Sequence, residues 1–360
     1  MNNKDFIEAI IKQRQLTHSS RKVYRSALTK YSLLNEMSLK ELLLEAEKEE
    51  EEGVRWKHRK LKERLTTYQN HLLKEYNYNT AKLYMSKVKV FYKDNDIEIH
   101  QLPPLNRKQA QLSEPITYDD LPTKETLREA YNMSTPLFRA YLLFAISSGC
   151  AKAEILSLTK YDYYEWIKDK DPLGEDIVPT IRLKRQKTNK YYTTFCSPEA
   201  IREIHHYLRT RSDDDDRLFK VNERYLNRAF QELNDKLGLG YLNGRAILRP
   251  HMLRKYHASR LYNAENGLTL EEIDSLQGRS KQITQRSYYF DNTEDLKKKY
   301  IRNIDQVTLL DEVHTITVDS PEVEMLKQKA EKIDELERLV KKILEKNGGM
   351  TQEQNTWWKK

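Results

Sequence analysis

The stretch RPHMLRKYHASRL, Arg249 to Leu261, sets His251, Arg254, Lys255 and His257 among a few apolar residues at the start of an expected helix. A helix that merely packs has no reason to begin this way. The planar fork of an arginine holds two oxygens of an oxyanion at once, and an imidazole donates a hydrogen bond or moves a proton. A phosphodiester needs such groups, because its oxygens gain charge on the way to the transition state. The plainer use of the same residues is a basic helix start resting on a phosphate that does not react. His257, further along the helix, reads as a packed side chain rather than a reacting one.

The chain as a whole suits an anionic partner. Its net charge of +8 favours a polyanion, without separating DNA, RNA and anionic membrane. No apolar run approaches the roughly 20 residues of a membrane span. The N-terminal MNNKDFIEAI lacks a secretory apolar core. The two cysteines, Cys150 and Cys196, have no metal-ligand spacing. The expectation is a cytoplasmic protein with reduced thiols, no metal, no cofactor and no membrane contact. With 33% charged and only 38% hydrophobic residues, each core should be modest and much helix surface solvated.

The elements that must position the cluster follow from periodicity. Residues 1–100 read as all helical. Val23, Ala27, Tyr31 and Leu34 share one helix face, as do Ala81, Tyr84, Val88 and Phe91, with Thr80 as the expected N-cap. Lys22, Arg25, Lys82, Lys87 and Lys89 lie on the other faces, as solvated surface or as contacts to phosphates. The acidic run Glu45–Gly53 would repel DNA and should face away or form a mobile connection. Residues 100–115, with two adjacent prolines, read as a linker. Helices follow, ending at Gly149. A β-hairpin turns at Thr188-Asn189, with Ile181 and Leu183 alternating with charges. A helix capped by Ser197 with Pro198 at its first position comes next. Leu226, Phe230, Leu233 and Leu237 then mark another helix face, and a capping box, Thr269 and Glu272, starts a helix that stops at Gly278. The run Ser212–Asp216 reads as a solvated turn rather than a metal site. Near-heptad Leu326, Ile333, Leu336, Val340 and Ile343, with Lys329 in a core slot, mark an amphipathic tail helix, lone or docked on a partner subunit.

Four segments in order, AISSGCAKAEILSLT, the hairpin KRQKTNKYY, HMLRKYHASRL and LQGRSKQITQRSYYF, resemble the boxes of the tyrosine recombinases, or phage-type integrases. The flavour is that of archaeal viral or plasmid integrases, and the likeness covers about residues 5 to 310. It implies a mainly α fold with a small β-hairpin sheet. The implied domains are a helical core-binding domain over 1–100, a linker over 101–115, a catalytic domain over 116–315 and a tail over 316–360. In the implied reaction a tyrosine attacks the phosphodiester, leaving a 3′-phosphotyrosine and a free 5′-hydroxyl. The bond energy is kept covalently, so neither ATP nor metal is needed. The resemblance makes Arg254 the phosphate grip and His251 a second donor or proton shuttle. Tyr288 becomes the nucleophile, preferred over Tyr289 for its spacing from Arg279. Lys187, preferred over Lys184 and Lys190, becomes the proton donor to the leaving oxygen. The implied partners are double-stranded DNA attachment sites and other copies of the chain, four protomers on two DNA segments. The implied biology is integration or excision of a mobile element or viral genome.

Two positions depart from the pattern. Arg279 stands where a His or Trp is usual, and an arginine still donates to phosphate. Ala151 stands where the family has its first arginine, two residues after Gly149 and three before Glu154. Losing such a donor costs on the order of 3–4 kcal/mol of transition-state stabilisation. Lys152 is the neighbour that would reach in under a shifted alignment, and Glu154 would brace the box. Ala151 keeps alive the alternative of a recombinase-derived DNA-binding protein with weak or no cleavage. A type IB topoisomerase shares the tyrosine chemistry, but the short chain and small helical N-terminal domain argue against it.

Overall fold

A computed structural model describes residues 3–168, 170–174, 177–279 and 292–310. Tyr288, Tyr289 and the tail over 316–360 lie outside the described residues. The chain divides into two compact units, Met1–Pro115 and Ile116–Lys360.

The first unit holds helices α1 (Asn3–Gln13), α2 (His18–Leu34), α3 (Leu39–Glu51), α4 (Lys60–Glu75) and α5 (Tyr78–Lys93). Ala27, Tyr31, Val88 and Phe91 are buried as the periodicity expects, and Tyr24, Leu28, Tyr68 and Tyr92 join them. In this tyrosine-rich core Tyr31 and Tyr92 share a hydrogen bond of 3.0 Å and Tyr68 donates to the Ala27 carbonyl at 2.9 Å, whereas the buried Tyr24 hydroxyl has no partner among the described residues. Three expectations change here. Helix α5 is capped by Asn77, whose side chain accepts from the Thr80 N–H; the helix therefore starts a turn earlier than expected. The acidic run is not a mobile connection but the second half of α3. Its charge is neutralised by α4 and the turn before it: Glu45 takes two hydrogen bonds from Arg64, Glu50 pairs with Arg59 at 2.6 Å, and Glu49 accepts the Lys60 N–H. The proline-rich segment belongs to this unit. Leu102 and Ala110 are buried in its core, and Gln69 donates to the Pro103 carbonyl at 3.0 Å. Its apolar contacts come singly rather than periodically, so no helix or strand pattern announces them.

The second unit is built on α7 (Pro136–Ser148), which follows α6 (Lys124–Asn132) and is buried along nearly its whole length. Short helices α8 (Lys152–Ile155) and α9 (Lys160–Trp166) lead to strands β1 (Thr180–Arg185) and β2 (Lys190–Phe195), an antiparallel hairpin closed by the Arg185–Lys190 pair. Then come α10 (Pro198–Arg209), α11 (Glu223–Lys236), a two-residue ribbon of β3 (Tyr241–Leu242) and β4 (Arg245–Ala246), α12 (Pro250–Tyr262), α13 (Leu270–Leu276) and α14 (Thr293–Arg302). The fold is thus mainly α with small two-stranded sheets. The capping box of α13 is present as expected, whereas Ser197 stands at the N-cap of α10 without a side-chain capping bond. The acidic turn is held by cations: Asp213 pairs with Arg211 at 2.6 Å and with Lys220, and Asp215 pairs with Arg217.

Three bonds fix the end of α7. Thr194 of β2 donates to the Ser148 carbonyl at 2.7 Å. Tyr300 of α14, fully buried, bonds both the Ser147 hydroxyl and its carbonyl. Beyond α14 the Glu199 carboxylate accepts the N–H groups of Leu309 and Leu310 at 2.7 and 2.8 Å, and Arg128 donates to the Leu309 carbonyl.

Candidate nucleic-acid interface and catalytic pocket

The pocket forms where the C-terminal end of α7, the first turns of α12 and the end of α13 meet the hairpin. Two glycines make the approach possible. Gly149 ends α7 at φ +61°, and a Cβ there would lie 2.5 Å from the His257 ring; Gly278 ends α13 at φ +58°, and a Cβ there would lie 2.6 Å from the Tyr192 ring. With both glycines in place, α12 lies against the end of α7, and the Gln277–Gly278 turn closes over β2.

Arg254 sits at the floor, 6% exposed. Its Nη1 donates to the Gly149 carbonyl at 2.7 Å and its Nη2 to the Gln277 carbonyl. Among the described residues it makes no ion pair. Burial, and then the charge of Arg185, lower its pKa to about 10, so it stays charged at neutral pH. Gln277 is the hub of the wall. Its side-chain amide donates to the Arg254 carbonyl at 2.9 Å and meets His257 Nδ1 at 3.0 Å. His257 is fully buried and held neutral, its pKa lowered to about 3 by burial and then by Arg254 and Arg279. It belongs to the wall, in keeping with the packed reading.

His251 is on the outer side of the same helix start, one turn before Arg254. The residue is exposed, yet its neighbours partly desolvate the ring. That desolvation, with the charges of Lys255, Arg249, Arg254 and Arg279, lowers its pKa. A neutral imidazole here can donate a hydrogen bond, and the four nearby cations make it harder for it to accept a proton. Arg279 is exposed, beside Asp274 at 3.3 Å. Lys187 is exposed in the four-residue hairpin loop, where Asn189 takes a positive φ.

At the first box the backbone N–H of Ala151 donates to the Glu154 carboxylate at 2.9 Å. The same buried carboxylate accepts the Tyr192 hydroxyl at 2.9 Å. Glu154 thus ties the Ala151 backbone to β2 through a backbone N–H and a tyrosine hydroxyl rather than through a cation. Lys152 does not turn toward Arg254. Its ammonium is held by Glu223 at 2.8 Å and Asn227 at 3.0 Å on α11, so the shifted alignment gains no donor from it. In the first unit Lys22 and Lys82 are exposed, and Lys87 and Lys89 half-buried. Arg25 differs from these: two hydrogen bonds tie it to Glu8 of α1, which already neutralises its charge.

Three residues of the pocket escape the sequence reading: Gln277, Tyr192 and Arg185. Gln277 acts through its backbone carbonyl and its side-chain amide, and Tyr192 through a buried hydroxyl, which no spacing reveals. Arg185 did leave a signal. It stands in phase with Ile181 and Leu183, the inward positions of β1, and its Nη1 donates to the Gln277 carbonyl at 2.7 Å.

No protein-family model matches the sequence, and no curated protein does. Among solved structures the chain is similar to a lambda integrase tetramer bound to a Holliday junction. The match has 14% identity and a TM-score of 0.51, over 80% of this chain and 76% of that one. A lambda integrase dimer bound to a COC′ core site gives the same identity and TM-score over 78% of its length. A XerA recombinase is 20% identical over 83% of this chain at a TM-score of 0.35, too loose a superposition to argue from. At these identities the lambda integrase likeness establishes the fold: the chain folds as tyrosine recombinases do.

Proposed function

We propose that the chain is a site-specific DNA recombinase that cleaves and rejoins DNA through a 3′-phosphotyrosine intermediate, serving integration or excision of a mobile element. The observation that carries this reading is Arg254: a buried, charged guanidinium whose hydrogen bonds, among the described residues, go to the Gly149 and Gln277 carbonyls. Desolvating a cation is costly unless an anion meets it. A phosphate in the pocket supplies that anion, and the fork grips it more strongly as its oxygens gain charge.

In this reading the Tyr288 oxygen attacks phosphorus. A Tyr–O–P bond forms as the bond to the 5′-oxygen breaks. The phenolic proton passes to neutral His251, and Lys187 gives a proton to the departing 5′-oxygen. Rejoining runs the same steps in reverse with another 5′-hydroxyl. Lys22, Lys82, Lys87 and Lys89 of the first unit contact DNA phosphates, with Arg25 the weakest candidate because Glu8 holds it. Four protomers on two attachment sites would exchange strands; the lambda integrase tetramer on a Holliday junction is the structural likeness behind that expectation. Ala151, with Lys152 turned away, is the one feature that favours a DNA-binding protein without cleavage.

The test is a pool of nicked duplexes of random sequence, in which a released short strand traps any covalent product. Protein–DNA adducts that survive denaturation, with the DNA joined through its 3′-phosphate to tyrosine, support the enzyme. Tight binding without adduct, from this protein and from an Ala151→Arg variant alike, supports the binding protein.

A further inference from the structure

We propose that Arg185 is a second phosphate-gripping residue of this pocket, supplying the guanidinium that the first box lacks at Ala151; the proposal rests on the recombinase reading above. Arg185 and Arg254 donate to the same acceptor, the Gln277 carbonyl, at 2.7 and 2.5 Å. Two cations whose donor nitrogens lie within roughly 5 Å of each other repel, and one neutral carbonyl does not cancel them. Neither forms an ion pair among the described residues. Arg185 acts on Arg254 as a like charge, making its protonation harder. A group that bridges both guanidiniums must therefore be anionic and small, with oxygens pointing two ways, which describes a phosphodiester.

The position is also the right one. The Gly149 carbonyl, two residues before Ala151, binds the other nitrogen of Arg254, so the first box and Arg254 are joined directly. Glu154 and Tyr192 hold the Ala151 backbone against the hairpin that carries Arg185. Arg185 approaches from the strand, where an arginine at 151 would approach from the helix start. The merely structural alternative is that Arg185 braces the Gln277 turn.

The experiment begins with a cleaved sequence recovered from the random nicked pool. That sequence is then remade with either a normal phosphate or a methylphosphonate, which lacks one charged oxygen, at the cleaved position. Single-turnover adduct formation is measured at saturating DNA. Arg185→Gln should slow it on the normal phosphate about 100-fold, the scale of losing one transition-state donor. Arg185→Lys should fall between, since it keeps charge without the fork. On the methylphosphonate most of the Arg185→Gln loss should vanish. Ala151→Arg should restore the Arg185→Gln protein, which also proves the variant folded, and accelerate the unsubstituted protein less. Equal rates for Arg185→Gln and the unsubstituted chain overturn the proposal, as does an equal loss on both substrates. Adducts from Ala151→Arg alone, with none from the unsubstituted chain, also overturn it. If no variant gives an adduct, the recombinase reading itself fails, a result distinct from these.

Discussion

Tyr288 differs from phenylalanine by the single oxygen that the proposed reaction consumes. Tyr288→Phe should abolish adduct formation and leave DNA affinity within about twofold, by binding titration, because a hydroxyl that attacks need not bind. Adduct from Tyr288→Phe but not from Tyr289→Phe would move the nucleophile one residue on. His257 offers a test that involves no DNA. Its folded pKa is lowered to about 3, while in the unfolded chain it takes a proton near its usual 6.5. The stability it contributes is present above pH 6.5 and is lost as pH falls toward 3. The slope should approach about 1.4 kcal/mol per pH unit inside that window. Denaturant unfolding of the native protein and of His257→Asn between pH 7 and 4 measures it; parallel curves would mean the ring is not held neutral. At the neighbouring position, Gly149→Ala combines a positive φ with a clash on that ring. It should cost roughly 2–5 kcal/mol in the same assay. Arg254 and His251 were legible in the sequence because a helix start displays its residues in linear order. Gln277 was not, because its backbone carbonyl is a group every residue has and its side-chain amide meets Arg254 and His257 only once α12 and α13 pack. Arg185 was legible only in strand phase, where charged neighbours at Arg182 and Lys184 hide it.

At the scale of elements, hydrophobic spacing exposed the helices and the hairpin, and Gly149 and Gly278 marked two of the ends. What spacing could not show was how charge is used between elements. The acidic run of α3 looked like a repelling segment and is instead the seam to α4. Glu45→Gln should therefore destabilise the protein by about 1–3 kcal/mol, by thermal unfolding, since it leaves the half-buried Arg64 without its carboxylate. A change near zero would return that run to the solvated surface. The same pairing logic separates the basic residues of α2 and α5. Arg25→Ala should change DNA affinity little, whereas Lys82→Ala with Lys89→Ala should weaken it and reduce its salt dependence.

For the whole molecule, a net charge of +8 predicts association governed by released counterions. If about five phosphates are neutralised, affinity should fall on the order of 500-fold between 50 and 200 mM salt. A flat salt series would make the lysines mere solvated surface. Deleting residues 321–360 tests the tail expected from its heptad-like spacing. Cleavage of one site should persist while recombination between two sites weakens. Equal loss of both would tie the tail to its own chain. The hand-over between the first unit and the second, by contrast, was misread over residues 101–115, because prolines advertise a break in pattern but not whether the segment packs.

The carboxylate of Glu199 has a mechanical meaning. By gripping the backbone at Leu309 and Leu310, with Arg128 on the carbonyl between them, it works as a cleat on a rope. Tension applied to the chain downstream is carried into α10 and α6. The Ser197 N–H at the start of α10 donates to the Ser147 hydroxyl, so a tug from a neighbouring molecule would be felt at the end of α7. Glu199→Gln would slacken that line, because a neutral amide accepts the two N–H groups less strongly than a carboxylate does.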